Sequence, residues 1–377
     1  MSKVLIFLLV AGFLVGAVLF LGGRFACYLG LLPWPLRVFF GLLFLLVVIG
    51  VISLSNKTTS WAHVTYLLAS FLLGALLYLL LATLAGEGIR LLWHLSSQST
   101  LLLVLLFTTL TLVTGVYQAM RVRTTRLTLS VGKLEHPLRI LHLSDLHLGH
   151  WHGERFLRKV LEKGRQEKVD VCFITGDLFD GRWQLRDEVF EQFRDPGFPV
   201  FFVEGNHERY TGVGPIVKKL QEAGVHVLRN ELVEWDGIRI AGLQYLRSGG
   251  RGGDLHARRQ GPLLEEVLRS LPWRSDKPTI LLHHAPVPPE QLVPYGIDLF
   301  LAGHTHGGQF FPFTLVAAAV HPYNRGLHTF RGMYIYISQG TGTFGPPIRT
   351  GTRSELTLIE LVPAAPSGEK AGSSQNI

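Results

Sequence analysis

The feature that most constrains this chain is a set of four long stretches near the N-terminus that carry no formal charge. Charged residues bound these stretches at positions 3–24, 37–57, 57–87 and 90–121. Each contains about 18 or more mostly apolar residues, the length that a hydrocarbon core of roughly 30 Å requires. The sequence therefore predicts an all-α membrane region over residues 1–122, with about four spans and both termini on one side.

Two alternatives to membrane spans remain open at this point. The first stretch could be a cleaved signal peptide, but its apolar run is long and no small-x-small cleavage site follows before Arg24. The other stretches could form a buried bundle in a soluble protein, which would normally carry a polar stripe. They carry almost none, so membrane spans are favoured.

The charge distribution separates this region from the rest of the chain. Residues 1–120 hold five Lys/Arg and one acidic residue, so 58 of the 64 charged residues lie in the remaining 257. An apolar content of 47% with 11% aromatic residues excludes disorder. The excess of basic residues does not form one stripe, which argues against nucleic-acid binding. Cys27 and Cys172 are far apart, so neither a disulfide framework nor a thiolate metal site is expected.

The orientation in the membrane can be inferred from the basic residues near the ends of the spans. The N-terminal side would hold Lys3, Lys57, Arg121, Arg123 and Arg126, and the opposite side would hold Arg24, Arg37 and Arg90. Because Lys and Arg accumulate on the cytoplasmic side, five against three predicts a cytoplasmic globular part.

From about residue 127 the pattern changes to short apolar runs separated by polar helical segments. We predict strands at residues 139–143, 169–175, 199–204, 238–243, 279–282 and 297–302, and helices at 154–168 and 216–223. This alternation is typical of an α/β sheet layered with helices. A globular domain is expected over residues 136–361, joined to the last span by about ten to fifteen residues. A Pro-, Ala-, Gly- and Ser-rich tail at 363–377 is expected to be disordered.

Polar side chains that can bind metals follow five of these predicted strands. They are Asp145 and His147, then Asp177, then Asn206 and His207, then His283 and His284, and finally His304 and His306. The carboxyl ends of strands in α/β sheets meet at one ligand-binding edge. Taken singly, an aspartate there could be a turn or cap residue, and a histidine could be a core residue. Five such coincidences favour a site of oxygen and imidazole ligands, which suit Mn, Fe or Zn.

These motifs resemble those of the calcineurin-like metallophosphoesterases. The patterns D-x-H, G-D, G-N-H-E, H-x-P and G-H-x-H occur in the family's order at positions 145–147, 176–177, 205–208, 284–286 and 303–306. The sequences GHTHGGQ at 303–309 and GTGTFGPPIRTGTRSELT at 340–357 are similar to those of membrane-attached bacterial phosphodiesterases and of transmembrane proteins with a metallophosphoesterase domain. The resemblance implies a four-layered αββα sandwich.

The resemblance also implies a role for each motif residue and a cofactor of two divalent metal ions, with manganese the first candidate. Asp145, His147 and His306 would bind one metal, Asn206, His284 and His304 the other, and Asp177 would bridge both. His207 would act near the leaving group. His283 is the weaker candidate because His284, two residues before Pro286, fits the pattern.

The four predicted spans imply a multi-pass membrane protein, in a bacterium one of the inner membrane. The resemblance implies that this protein hydrolyses a phosphodiester or pyrophosphate. Because the domain is attached to the membrane, a lipid-linked substrate such as UDP-diacylglucosamine is one candidate. The alternatives are a soluble nucleotide or ester and a metal-binding scaffold or sensor without turnover. Neither a nucleic-acid partner nor a particular oligomeric state is implied.

Two further segments have two interpretations each. The Arg-rich loop at residues 247–261 is either a solvated loop, which is favoured, or a clamp for anionic headgroups. The apolar segment at 310–320 is either a core strand, which is favoured, or a membrane contact.

Overall fold

The computed structural model describes residues 3–246 and 262–364. The chain divides into two compact units. The helical unit comprises Met1–Arg121 and Thr343–Thr350, and the globular unit comprises Val122–Gly342 and Gly351–Ile377. The globular unit thus begins before the boundary expected at residue 136, and a short segment of the expected domain belongs to the helical unit.

The helical unit consists of four long helices and that short segment. The helices are α1 (Lys3–Leu29), α2 (Pro33–Leu54), α3 (Ser60–Trp93) and α4 (Ser97–Met120). All four are long and apolar enough to cross a membrane. Large apolar side chains such as Leu46 and Ile52 are 67% and 73% exposed on the outside of the bundle. An outward apolar surface of this kind suits acyl chains rather than water.

A small polar cluster lies within the helical unit and is centred on Glu87. The Tyr28 hydroxyl donates a hydrogen bond to Glu87 Oε1 at 2.5 Å, and the Arg24 guanidinium donates to Glu87 Oε2. Arg90 Nη1 lies 3.5 Å from the same Oε2 atom. A carboxylate in apolar surroundings is tolerated when cations and donors satisfy it. Glu87 therefore joins α1 to α3 through compensated polar contacts.

The segment Thr343–Thr350 packs into the helical unit at two glycines. A Cβ atom at Gly74 would lie 2.5 Å from Ile348 Cδ1, and one at Gly115 would lie 2.6 Å from Ile348 Cγ2. The Arg349 N–H also donates to the Gly115 carbonyl at 2.9 Å. The two glycines therefore leave the space that the Ile348 side chain occupies.

We expect Gly115→Leu to destabilise the helical unit, because the added side chain would occupy the volume of Ile348. Overpacking of this kind costs about 1–3 kcal/mol, which corresponds to a fall of a few degrees in Tm. Gly88→Leu is the matched control on α3, because nothing lies within 4 Å of a Cβ there. Thermal unfolding of both variants in detergent measures the difference, and equal Tm values would contradict the packing at Gly115.

The described part of the globular unit contains twelve strands and six helices. The strands are β1 (Arg123–Val131), β2 (Leu138–Leu143), β3 (Val171–Thr175), β4 (Val200–Val203), β5 (His226–Val227), β6 (Glu231–Trp235), β7 (Ile238–Gly242), β8 (Thr279–Leu282), β9 (Leu299–Ala302), β10 (Gly326–Phe330), β11 (Met333–Ile337) and β12 (Glu355–Pro363). The helices are α5 (Glu154–Gln166), α6 (Asp187–Phe190), α7 (Asn206–Thr211), α8 (Val213–Glu222), α9 (Leu264–Ser270) and α10 (Phe313–Val320).

The strands form two mixed six-stranded sheets. The first has the order β1-β12-β2-β3-β4-β5, and the second has the order β10-β11-β9-β8-β7-β6. In the first sheet β2, β3, β4 and β5 are parallel, and in the second β7, β8, β9 and β11 are parallel. The strands that precede the predicted site residues therefore end on the same side within each sheet.

The alternation of side chains along the strands produces four layers. Along β2, Leu138 and Ile140 enter a core that also contains Ile280 of β8, whereas Leu141 and Leu143 enter a second core. The second core includes Leu157 of α5, and a third core joins the other face of the second sheet to α9. Because successive strand residues point to opposite faces, each sheet buries both sides. The predicted helix–sheet–sheet–helix sandwich is confirmed.

The interpretation of residues 310–320 as a core strand is wrong. The segment forms α10, and its eight residues include none that is buried. Apolar composition does not distinguish strand from helix in a short run, and the Ala-Ala-Ala sequence at 317–319 favours helix. The arginines at 247, 251, 258 and 259 lie outside the described residues, as does the expected disordered tail from residue 365 on.

Candidate metal centre

The site residues predicted from the sequence stand on loops that leave the carboxyl ends of strands in both sheets. Strands β2, β3 and β4 of the first sheet lead to Asp145, Asp177 and Asn206, and β8 and β9 of the second lead to His284 and His304. Neighbouring loops are joined by backbone hydrogen bonds, such as the one that the Asp145 N–H donates to the Gly176 carbonyl at 3.0 Å. The loops of neighbouring strands therefore hold their side chains together.

The first group of potential ligands consists of Asp145, His147 and His306. The Nε2 atoms of His147 and His306 lie 2.9 Å apart. Asp145 Oδ1 is 3.3 Å from His306 Nε2 and 4.0 Å from His147 Nε2. All three residues are buried, and their ligand atoms lie within 4.8 Å of one another. Three donors at this spacing could contact one metal ion.

The second group consists of Asp177, His284 and His304. His284 Nε2 lies 3.1 Å from Asp177 Oδ2 and 3.1 Å from His304 Nδ1. The other ring nitrogen of His284 donates to the Thr175 carbonyl at 2.7 Å, which orients the imidazole as second partners of metal-binding histidines do. Asp177 Oδ2 is also 4.0 Å from His147 Nε2, so this carboxylate lies between the two groups.

Asn206 follows the neighbouring strand β4 and begins α7. Its side-chain oxygen Oδ1 is buried and accepts no hydrogen bond from any residue in the described ranges. A buried acceptor of this kind requires a partner, and a cation would supply one. The Asn206 amide therefore fits a metal site at this edge of the sheet.

The charge states of two of the donors, His147 and Asp177, fit divalent cations. Burial, together with the charges of His207 and His306, lowers the pKa of His147 to about 3, so its imidazole is neutral. Burial favours protonation of Asp177, but the nearby charges of His284 and His207 hold its pKa well below the usual range. Carboxylate, amide and neutral imidazole together are the ligands that Mn, Fe and Zn accept.

His207 lies beside these groups and bonds to a carboxylate. Its ring atom Nδ1 is 3.1 Å from Asp180 Oδ1. Its backbone N–H donates to Asp177 Oδ1 at 2.9 Å. Burial would lower the pKa of His207, but the charge of Asp177 and the bond to Asp180 outweigh it and raise the pKa to about 9. The side chain is therefore an imidazolium at neutral pH.

The backbone of the ligand loops is strained. Five predicted ligands have backbone φ angles in the left-handed region: Asp145 (52°), His147 (48°), Asp177 (50°), His304 (73°) and His306 (50°). Such conformations cost on the order of 1–3 kcal/mol for residues other than glycine and persist where the surroundings hold them. The His304 N–H donates to Asp145 Oδ2 at 3.0 Å, and a Cβ at Gly303 would lie only 2.2 Å from that oxygen.

Sequence reasoning gave no role to Glu208, the last residue of the G-N-H-E motif. Its buried carboxylate accepts hydrogen bonds from the N–H groups of Asp177 at 2.9 Å, Phe179 at 3.0 Å and Gly205 at 2.8 Å. Burial and the charge of Asp177 raise the pKa of Glu208 to about 7. A glutamate in the first turn of a helix is a common capping signal, which could have indicated this role.

Asp180 was also missed. An acidic residue three positions after Asp177 is common in turns, so no signal in the sequence separates it from a solvated one.

His283 has a different environment from His284. Its Nδ1 donates to the Ala285 carbonyl at 2.7 Å, and its Nε2 accepts from the Leu246 N–H at 3.4 Å. Both ring nitrogens are therefore engaged with the backbone, which supports the preference for His284 as the predicted ligand.

Comparison with known proteins identifies the group to which this site belongs. The profile described as calcineurin-like phosphoesterase matches residues 138–308. The chain is 31% identical over 240 residues to phosphodiesterase YaeI of Escherichia coli, covering 60% of this chain and 83% of that protein. The chain belongs to the calcineurin-like phosphoesterase family. The resemblance seen in the sequence motifs is confirmed.

Two other relatives match this chain over only part of their own length. A metallophosphoesterase of Helicobacter pylori is 34% identical over 245 residues, which are 62% of this chain and 62% of that protein. A transmembrane protein with metallophosphoesterase domain from Bos taurus is 34% identical over 246 residues, which are 61% of this chain and 54% of that protein. The match thus spans about three fifths of the Helicobacter relative.

We expect Glu208→Ala to disorder the metal site, because it leaves three buried N–H groups without their acceptor. Each such loss costs about 1–3 kcal/mol, so both Tm and bound metal should fall. Glu222→Ala is the control, since its carboxylate is 58% exposed and its ion pair with Lys218 is long, at 3.8 Å. Metal analysis and thermal unfolding test this, and an unchanged metal content in Glu208→Ala would contradict the bracing role.

Proposed function

We propose that this chain is a membrane-bound phosphoesterase that hydrolyses a phosphodiester or pyrophosphate with two divalent metal ions. The observation that carries the proposal is the position of Asp177 between two adjacent groups of potential ligands. A ligand shared by two dications should be anionic, and the Asp177 carboxylate meets that requirement. The name of the Escherichia coli relative, a phosphodiesterase, supports the reaction class.

The residues are assigned as the family motifs imply. Asp145, His147 and His306 would hold one metal, Asn206, His284 and His304 would hold the other, and Asp177 would contact both. Bound dications supply an activated water and neutralise phosphoryl oxygens. Manganese is the first metal to test.

His207 supplies the proton in this proposal. Its imidazolium donates from the ring toward the leaving oxygen, while the bond from Nδ1 to Asp180 fixes the ring orientation. General acid catalysis of this kind typically contributes about 10²–10⁴-fold to the rate. The Asp180–His207 pair also favours an enzyme over a scaffold or sensor, because a scaffold that only binds metal needs no oriented proton donor.

The substrate is proposed to be lipid-linked, with UDP-diacylglucosamine as a candidate. Helix α4 ends at Met120 and strand β1 begins at Arg123, so the connection is shorter than the expected ten to fifteen residues. Strand β1 precedes the first predicted strand at residues 139–143, and its residues were not predicted to form a strand. A short connection to a membrane helix raises the effective concentration of membrane substrates over dissolved ones. A soluble nucleotide or ester is the alternative substrate.

Asp177→Asn is expected to lower both metal occupancy and turnover by orders of magnitude, because a neutral amide cannot replace the shared anion. His207→Ala should keep its metal and lose about 10²–10⁴-fold in turnover. Metal analysis of the purified protein and hydrolysis of lipid and nucleotide phosphoesters with manganese measure both effects.

The exposed pair His136 and Asp236 provides matched controls, because their side chains are 54% and 49% exposed and lie 3.5 Å apart. His136→Ala and Asp236→Asn should change neither metal occupancy nor turnover. Near-normal hydrolysis and metal content in Asp177→Asn would refute the assignment. Loss of metal in His207→Ala would make that residue a ligand rather than a proton donor.

The proposed topology is four membrane crossings with the globular unit in the cytoplasm, in a bacterium at the inner membrane. A reporter fused after Ile377 should then behave as cytoplasmic, because Arg121, Arg123 and Arg126 resist translocation. Paired fusions to alkaline phosphatase and to a fluorescent protein measure the side of the membrane on which the C-terminus lies. An active alkaline phosphatase fusion would show the opposite orientation or a different number of crossings.

A further inference from the structure

Helix α10 is unusual among the helices of the globular unit because its apolar side chains point outward. Phe313, Leu315, Val316 and Val320 are 49%, 63%, 56% and 55% exposed. The two less exposed positions are Thr314 and Ala317. A helix on the surface of a soluble domain normally turns its large apolar residues inward. This helix does the reverse, and an exposed apolar face of that kind indicates a contact surface.

The helix is held in place by the loop that carries His306. A Cβ atom at Gly308 would lie 2.4 Å from the Phe313 carbonyl, so the start of α10 lies directly against that loop. The Thr305 hydroxyl donates to the Asn324 carbonyl at 2.6 Å, which fixes the chain after the helix. Both ends of the α10 segment are therefore fixed beside the predicted metal ligands, although no large side chain of α10 is buried.

The sequence on either side of α10 carries charges of one sign. Between Asp298 and Glu355 the sequence contains no acidic residue and four arginines. Three of them, Arg325, Arg331 and Arg353, are exposed, whereas Arg349 is buried. Apolar helices flanked by basic residues favour the interface of an anionic bilayer, where the apolar side chains enter the acyl region and the cations meet the headgroups. The segment is thus suited to a membrane rather than to an acidic or polar protein surface.

We propose that α10 inserts its exposed apolar face into the membrane that holds helices α1–α4, beside the loop of His306. The occupant of this surface is the acyl layer of an anionic bilayer. Connectivity supports this choice, because α4 ends at Met120 and β1 begins at Arg123, so the chain holds the start of the globular unit close to the end of the proposed fourth span. The inference rests on the membrane attachment in the proposed function and is independent of turnover.

Spin labels on the full-length protein in vesicles of phosphatidylethanolamine and phosphatidylglycerol test the insertion. Cysteines are placed at Leu315 and Val316 after Cys27→Ser removes the exposed native thiol, while the other cysteine, Cys172, is buried. Leu42 on α2, 56% exposed, provides the reference inside the bilayer. Arg158 on α5, with a side chain 59% exposed, provides the reference in water.

We expect the labels at Leu315 and Val316 to collide more often with oxygen than with a water-soluble nickel complex, as at Leu42. The label at Arg158 should show the opposite ratio. Labels on α10 that behave like Arg158 would overturn the insertion while leaving the membrane attachment intact. Labels shielded from both reagents would mean that protein covers α10, which also overturns the proposal. A water-like Leu42 label would overturn the attachment and the insertion together.

Discussion

The predicted site depends on how the Asp177 carboxylate is held. Its two oxygens meet the His207 N–H at 2.9 Å and His284 Nε2 at 3.1 Å, and its own N–H is held by Glu208. A side chain at Gly205 would lie 2.1 Å from Asp177 Oδ1. These contacts hold the Asp177 carboxylate beside His284, and its Oδ2 also lies 4.0 Å from His147 Nε2 of the first group of potential ligands.

This arrangement requires a rigid frame, which the sheet sandwich provides. The strands before the ligand loops are buried on both faces, so they cannot shift without opening two cores. The left-handed backbone at Asp145, His147 and Asp177 can then be maintained, because the packing and the loop hydrogen bonds offset its cost. Burial also sets the charge states, since a buried histidine beside another cation stays neutral and one beside two carboxylates becomes charged.

The helical unit differs from the globular unit because its outer surface is apolar. Its one acidic residue, Glu87, is satisfied by Arg24, Tyr28 and Arg90 inside the unit. The globular unit also has an apolar outward face, on α10, where no residue is buried. The proposed contact with lipid would account for both features.

The sequence alone predicted the four apolar helices and the alternation of strands and helices, and the family resemblance of its motifs implied the seven ligands and His207. The helices and strands follow from local signals: an uncharged run long enough to span a membrane, and short apolar runs separated by polar helical segments. Only the tertiary structure revealed β1 as an edge strand, the bracing by Glu208 and the pairing of Asp180 with His207. It alone also placed Thr343–Thr350 in the helical unit and turned the apolar face of α10 outward. The physical reason is that these depend on which distant residues meet, and composition and spacing along one chain carry no record of such contacts.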